Sequence, residues 1–206
     1  MAAEIQYIDI YNPEWEQIMQ AVDILQHGGV IVYPTDTIYG LAADVYSKEA
    51  IEKIFKIKKI SGQKLMSFIF ADFSGVADWA NIPNGAFRMM RRVLPGPYTF
   101  ILPAAKGIPR SLVDKRTTIG VRVPDSEVAR QLVTELGRPL LSTSVPEGED
   151  EFFTDPQEIY ALFQQDIDLI LDGGVMPTVP STIVDFTVDP PEILRKGAGD
   201  IDALFS

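Results

Sequence analysis

"GGVIVYP", residues 28–34, is the stretch on which the fold turns. Two glycines, a β-branched and aromatic run and a proline read as a short buried strand with punctuation at both ends. Just before it, "PEWEQIMQAVDILQH" (13–27) sets Trp15, Ile18, Met19, Val22 and Leu25 at helical spacing. Pro13 lies near the start of that helix, and Gly28 and Gly29 at its end. The same alternation continues downstream. "SKEAIEKIFKIKK" (47–59) is a helix with Ser47 as its N-cap, and "MSFIF" (66–70) is a strand. "GAFRMMRRVL" (85–94) is a helix stopped by "PGP", and "YTFILPA" (98–104) alternates with period two. "TTIGVRVP" (117–124), "SEVARQLVTELG" (126–137) and "PLLSTS" (139–144) give strand, capped helix and strand. "DPQEIYALFQ" (155–164) and "IDLILDGG" (167–174) give helix and strand. "STIVDF" (181–186) and "EILRKG" (192–197) follow with only "TVDPP" between them, so they pair antiparallel. The sheet is therefore mixed, in an α/β fold flanked by helices.

The chain has 206 residues, 46% of them apolar, which suits one globular domain. It has no apolar run long enough to span a bilayer. "MAAEIQYIDIYNPEW" lacks the basic region, apolar stretch and cleavage site of a secretory signal, so the expected location is the cytoplasm. There is no cysteine, which excludes disulfides, thiolate catalysis and cysteine-built zinc sites. The one histidine, His27, falls at a helix C-terminus and reads as a cap rather than a catalyst. A net charge of −11 argues against unassisted affinity for nucleic acid, although a cleft can still focus a positive field.

Hydroxyls gather at strand ends, in "YPTDTIYG", "STS" and "VPSTIVD". Such groups can bind a carboxylate, an amine or phosphate oxygens, and they also serve as ordinary turn and cap chemistry. Arg122, in the otherwise apolar strand "IGVRVP", must pair with a protein acid or await a carboxylate or phosphate. Five lysines lie between positions 53 and 64. Lys53 and Lys56 read as solvent-facing along the helix. Neither a Walker A pattern nor a G-x-G-x-x-G after a strand is present.

In their order these clusters resemble the YrdC-domain family of threonylcarbamoyl-AMP synthases. The resemblance rests on "VIVYPTDTIYGLAADV", "IFKIKKISGQKLMSFI", "PGPYTFIL", "IGVRVPDSEVARQL", "PLLSTS", "PSTIVDF" and "ILRKGAG", and it is closest to the YciO branch. It covers residues 14–200, leaving 1–13 as an extension and 201–206 as a tail. It implies a twisted open mixed β-sheet with flanking helices and a basic concave face. For the synthases it implies that L-threonine, bicarbonate and ATP give threonylcarbamoyl-AMP and pyrophosphate, which feeds tRNA modification. By that resemblance Thr35, Tyr39, Arg122 and Ser181 serve the threonine side. Lys58, Thr99, Ser142, Ser144 and Arg195 serve the nucleotide side, with ATP arriving as its Mg²⁺ complex and no tightly bound cofactor or resident metal. Arg195 also has a plain reading as a surface salt bridge.

Three positions depart from the synthase pattern. The Lys-x-Arg pair reads Lys58, Lys59, Ile60; the Ser-x-Asn element reads Ser144, Val145, Pro146; and Ile69 stands where synthases commonly carry histidine. Loss of a phosphate cation weakens electrostatic stabilisation of the leaving pyrophosphate, which argues against full synthase activity. The alternative is a non-catalytic module for double-stranded RNA, tRNA or rRNA, with Lys58, Lys59, Lys64, Arg122 and Arg195 as contacts. The acidic run "EGEDEFFTD" (147–155) reads as a solvated loop, with Mg²⁺ binding as the lesser alternative.

Overall fold

The computed structural model describes residues 2–58, 66–109, 112–113, 117–146 and 152–206. Among these described residues ten strands form one twisted, open, mixed sheet. In chain order they are β1 (Glu4–Tyr7), β2 (Ile31–Tyr33), β3 (Gly40–Asp44), β4 (Ser67–Ile69), β5 (Tyr98–Pro103), β6 (Thr118–Arg122), β7 (Leu140–Ser144), β8 (Leu169–Asp172), β9 (Thr182–Asp185) and β10 (Glu192–Arg195). The helices are α1 (Trp15–Gln26), α2 (Lys48–Ile57), α3 (Asn84–Val93), α4 (Glu127–Leu136), α5 (Pro156–Phe163) and α6 (Ile201–Phe205). Across the sheet the order is β1-β8-β2-β3-β7-β4-β6-β5-β9-β10. β1 and β2 run parallel to β8, β4 to β6 and β5 to β9; the other pairings are antiparallel, β9 with β10 among them.

Period-two alternation divides the core between the two faces. Ile31, Ala42, Ile69, Leu140, Leu169 and Leu171 meet Ile18, Val22 and Leu25 of α1 and Val128, Leu132 and Leu136 of α4. The intervening residues Val32, Leu41, Phe68, Phe100, Val121 and Val184 face a second cluster. There Ile51 and Ile54 of α2, Met90 of α3, Ile159 of α5 and Leu204 of α6 close over them. Helix ends follow the expected chemistry. Ser47 and Ser126 Oγ accept the Ala50 and Ala129 amides, and α4 stops at Gly137 in the left-handed region, φ 72°. His27 caps α1, with Nδ1 2.8 Å from the Asp23 carbonyl oxygen.

The sheet and helices reach beyond residues 14–200 at both ends. β1 forms one edge of the sheet, and α6 packs on α3 with Leu204 fully buried. Lys53 lies along α2 with its side chain 40% exposed and Nζ 3.9 Å from the Asp168 carboxylate, and Lys56 is exposed. No helix among the described residues is long and apolar enough to cross a membrane.

Candidate functional site

α1 and α4 cover only part of their face of the sheet. Where the cover ends, the inward positions change from aliphatic to hydroxyl. On β7, Leu140 lies beneath the helices while Ser142 and Ser144, two and four residues on, line an open cavity. The cavity is about 120 Å³ and runs along the sheet from Tyr33 on β2 to Arg195 on β10. Its remaining wall includes Thr35, Tyr39, Gly40, Ser67, Ile69, Thr99, Arg122, Ser181 and Ile183. Two arginines and no carboxylate appear among the described lining residues.

The polar groups form three clusters. The first surrounds Arg122, whose side chain is 10% exposed. Its Nη2 donates to an Asp36 carboxylate oxygen, to Thr37 Oγ1 at 2.7 Å and to Thr35 Oγ1 at 3.3 Å. The other Asp36 oxygen accepts the Asp125 amide at 3.1 Å. The protein acid that the sequence left open is therefore Asp36. Arg122 Nε nevertheless remains a buried donor with no hydrogen-bond partner, a state that usually costs about 1–3 kcal/mol.

The second cluster joins β5, β9 and β10. Thr99 Oγ1 and Ser181 Oγ are 2.8 Å apart. Arg195 Nε and Nη2 donate to the Ser181 carbonyl at 3.0 and 2.9 Å, and Nη2 reaches Ser181 Oγ at 3.2 Å. The Arg195 fork thus grips backbone at the cavity wall. Gly197 permits the approach, since a Cβ there would collide with the Pro180 carbonyl oxygen and lie 2.5 Å from the Ser181 carbonyl carbon.

The third cluster lies where α2 ends over β7. Lys58, the C-cap of α2, donates from Nζ to Thr143 Oγ1 at 2.9 Å and to Ser144 Oγ at 3.5 Å. Tyr33 lies across Gly40, where a Cβ would be 2.6 Å from Tyr33 Cε1, and its hydroxyl donates to Ser142 Oγ at 3.1 Å. Burial pushes the Tyr33 phenol well above its usual range, against a smaller opposing effect of the Ser142 hydrogen bond. Burial likewise raises Tyr39. The Tyr39 hydroxyl donates to the Gly174 carbonyl at 2.6 Å and accepts the Gly173 amide at 3.0 Å, so this residue closes the wall with its ring.

All nine residues that the resemblance marks for ligands thus lie in or against one cavity, but its two groups interleave. Thr99 and Arg195 from the nucleotide group bond to Ser181 from the threonine group. Ile69 is in the wall, and Val145 is buried beside Pro146. Lys59, Ile60, Lys64 and residues 147–151 lie outside the described residues. Of the RNA candidates that are described, Arg122 is buried and Arg195 half-buried. Tyr33, Asp36, Thr37, Ser67 and Thr143 were missed. Ser67 could have been found from strand parity with Ile69, and Asp36 and Thr37 from their place in the loop directly after β2.

Comparison with known proteins follows the same lines. A family model described as "Telomere recombination", which spans the Sua5, YciO and YrdC proteins, matches residues 23–197. YciO of Escherichia coli K12 is 41% identical over 197 residues, 95% of this chain and 96% of its own. The E. coli YciO crystal structure matches with a TM-score of 0.94 at 39% identity, over 98% of this chain and 99% of that one. A threonylcarbamoyl-AMP synthase of Pyrococcus abyssi is 31% identical over 186 residues, 89% of this chain but 54% of its own. The crystal structure of P. abyssi Sua5 complexed with L-threonine matches with a TM-score of 0.86 at 30% identity, over 94% of this chain and 57% of that one.

Proposed function

The chain belongs to the Sua5, YciO and YrdC family, and on that premise we propose that its concave cavity binds a small amino acid such as threonine by its carboxylate. ATP or AMP lies alongside, toward Lys58. The observation that carries this reading is Arg122: a buried cation in a cavity wall, with one donor unused, beside a row of hydroxyls. A charge-assisted hydrogen bond from a guanidinium N–H to a carboxylate is strong where the site limits access to water. The cavity volume of about 120 Å³ is below the roughly 300–1,000 Å³ usual for drug-sized ligands. It suits an amino acid inside and a nucleotide reaching in from the rim. Mg²⁺ arrives as part of the nucleotide substrate.

The synthase reaction itself is weak or absent in this reading. Ile60, Pro146 and Ile69 replace the arginine, asparagine and histidine of the synthase pattern. A hydrocarbon at each place gives nothing to developing phosphate charge. The RNA reading is less favoured, because Arg122 is committed to Asp36 beneath the surface and a phosphate backbone reads exposed cations.

The test is calorimetric titration with L-threonine and ATP, beside a bicarbonate-dependent pyrophosphate-release assay on the natural chain and an Ile60→Arg, Pro146→Asn double variant. Expected are threonine binding lost in Arg122→Met, little pyrophosphate from the natural chain, and more from the double variant. Absence of binding by both ligands at millimolar concentration, with salt-dependent tRNA binding instead, would replace this reading with the RNA one.

A further inference from the structure

A groove lies between α4 and the segment that follows β4. It consists of two cavities, of about 300 and 290 Å³, that share Ala71 and Asp72. Much of its wall is apolar. Phe70, Trp79, Val133 and Pro139 line one half, and Phe73, Leu94, Val123 and Pro124 the other. No described lining residue is common to this groove and the sheet-face cavity. Charge in the groove is unbalanced. Its described walls bring four carboxylates, Asp72, Asp78, Asp125 and Glu127, and two guanidinium groups, Arg130 and Arg138. Both arginines are committed: Arg130 pairs with Glu127, and Arg138 with Asp44, which lies outside the groove. Asp72 accepts from the Ser74 hydroxyl and from the Ser74 and Gly75 amides, with no cation against it. Asp78 and Asp125 are exposed, and among the described residues neither has a cationic partner.

Three carboxylates spaced along an apolar wall call for an occupant that is cationic at intervals and apolar between. An extended basic peptide has that pattern, but it also brings backbone groups that need partners when buried. The loops here have few to offer. The Phe70 amide is held by the Arg122 carbonyl, the Ser74 and Gly75 amides by Asp72 and the Asp125 amide by Asp36. Beneath them β4 and β6 are interior strands, each paired on both sides. A chain of methylenes and ammonium groups makes no such demand. We propose that this groove binds a linear aliphatic polyamine. Its ammonium groups, charged at neutral pH as a lysine is, meet Asp78 at one end, Asp125 at the other and Asp72 between. Its methylenes lie against the apolar wall, and an ammonium near Trp79 gains from the face of the indole. The inference is independent of the amino-acid reading, since it uses a different part of the molecule.

The experiment is titration of the full chain with spermidine at fixed ionic strength, followed by calorimetry and by tryptophan emission. The chain has two tryptophans, Trp15 and Trp79. Trp15 is exposed, so a Trp15→Phe background leaves Trp79 as the reporter. Asp78→Asn and Asp125→Asn each remove one exposed charge, and Glu192→Gln on the far edge strand β10 removes one outside the groove. Expected are saturable binding at one site, a change in Trp79 emission, and an affinity loss of about tenfold or more for each aspartate variant. Glu192→Gln binds as the natural chain does, and the shorter putrescine binds more weakly than spermidine. Equal affinity in all three variants overturns the proposal, as does equal competition by Mg²⁺ at matched ionic strength. Either result shows only diffuse attraction of a polycation to a chain of net charge −11. No saturation at millimolar spermidine overturns it too. A peptide of alternating lysine and leucine that binds tenfold more tightly than spermidine overturns it in favour of a protein partner. Threonine titration reads the sheet-face cavity separately, so failure here leaves that reading in place.

Discussion

Removing the Asp36 carboxylate strands Arg122, and the structure sets the size of the effect. Breaking a buried ion pair from one side costs about 3–5 kcal/mol. Here the partners are 10% and 9% exposed, and Arg122 Nη2 keeps Thr37 Oγ1 at 2.7 Å and Thr35 Oγ1 at 3.3 Å. Those two acceptors and slight access to water bring the expectation for Asp36→Ala down to about 2–3 kcal/mol. With a urea m-value of about 2 kcal/mol/M, the midpoint falls by about 1–1.5 M. Asp36→Asn keeps an acceptor and loses the charge, so its loss is smaller. Arg122→Met leaves Asp36 with only the Asp125 amide and is destabilised to a similar degree. The Asp36→Ala, Arg122→Met double variant loses less than the sum of the singles, by about 1.5 kcal/mol or more, because each single variant already forfeits the shared interaction. Equilibrium urea unfolding followed by tryptophan fluorescence and circular dichroism measures all four variants against the natural chain. Additive losses, or an Asp36→Ala loss below about 0.5 kcal/mol, would refute the view that this pair braces the cavity wall.

Two further outcomes follow from packing and burial. Gly197→Ala forces its new methyl against the Pro180 and Ser181 backbone, so stability falls by about 1–3 kcal/mol and the melting temperature by about 2–4 °C per kcal/mol; threonine affinity drops with it, because Ser181 shifts. An unchanged melting temperature would show that the 195–199 segment moves aside freely. Tyr33, Tyr39 and Tyr98 all have phenols raised by burial. Their contribution is therefore whole below the unfolded tyrosine pKa of about 10 and is lost as pH climbs past it toward the folded values. Unfolding free energy should decline above about pH 10, with Tyr33 and Tyr39 silent in a phenolate-absorbance titration until the chain unfolds, and with a shallower decline in Tyr33→Phe. Native-state titration of all seven tyrosines near their ordinary value, with unchanged stability, would contradict the burial argument.

Much of this architecture is legible from residue patterns, and the exceptions have physical causes. β2 announces itself because its β-branched run sits between glycines and a proline. β3, "GLAAD", carries no such signal. It is buried throughout between β2 and β7, where packing from both sides favours small residues over β-branched ones. β1 is a four-residue edge strand with half-exposed side chains, and α6 is a five-residue helix anchored mainly by Leu204. Neither is long enough to display a period.

The site divides in the same way. Thr35, Ser142, Ser144 and Ser181 stand out one at a time as hydroxyls at strand ends. What the sequence withholds is their pairing. Asp36 and Arg122 are 86 residues apart, and Thr99 and Ser181 are 82 apart; only the crossing order of the sheet brings each pair together. Parity then decides which hydroxyls matter. On β7 the face that is leucine under α1 and α4 becomes serine where those helices end. On β4 the same face carries Ser67 and Ile69, and on β6 Gly120 and Arg122. A serine two residues beyond a buried leucine, in register with Ser67 on β4 and Gly120 on β6, thus marks where helical cover stops. That boundary, rather than any single motif, makes a polar cavity out of a sheet face that is otherwise core, and it sets Arg122 beside the space a ligand would fill.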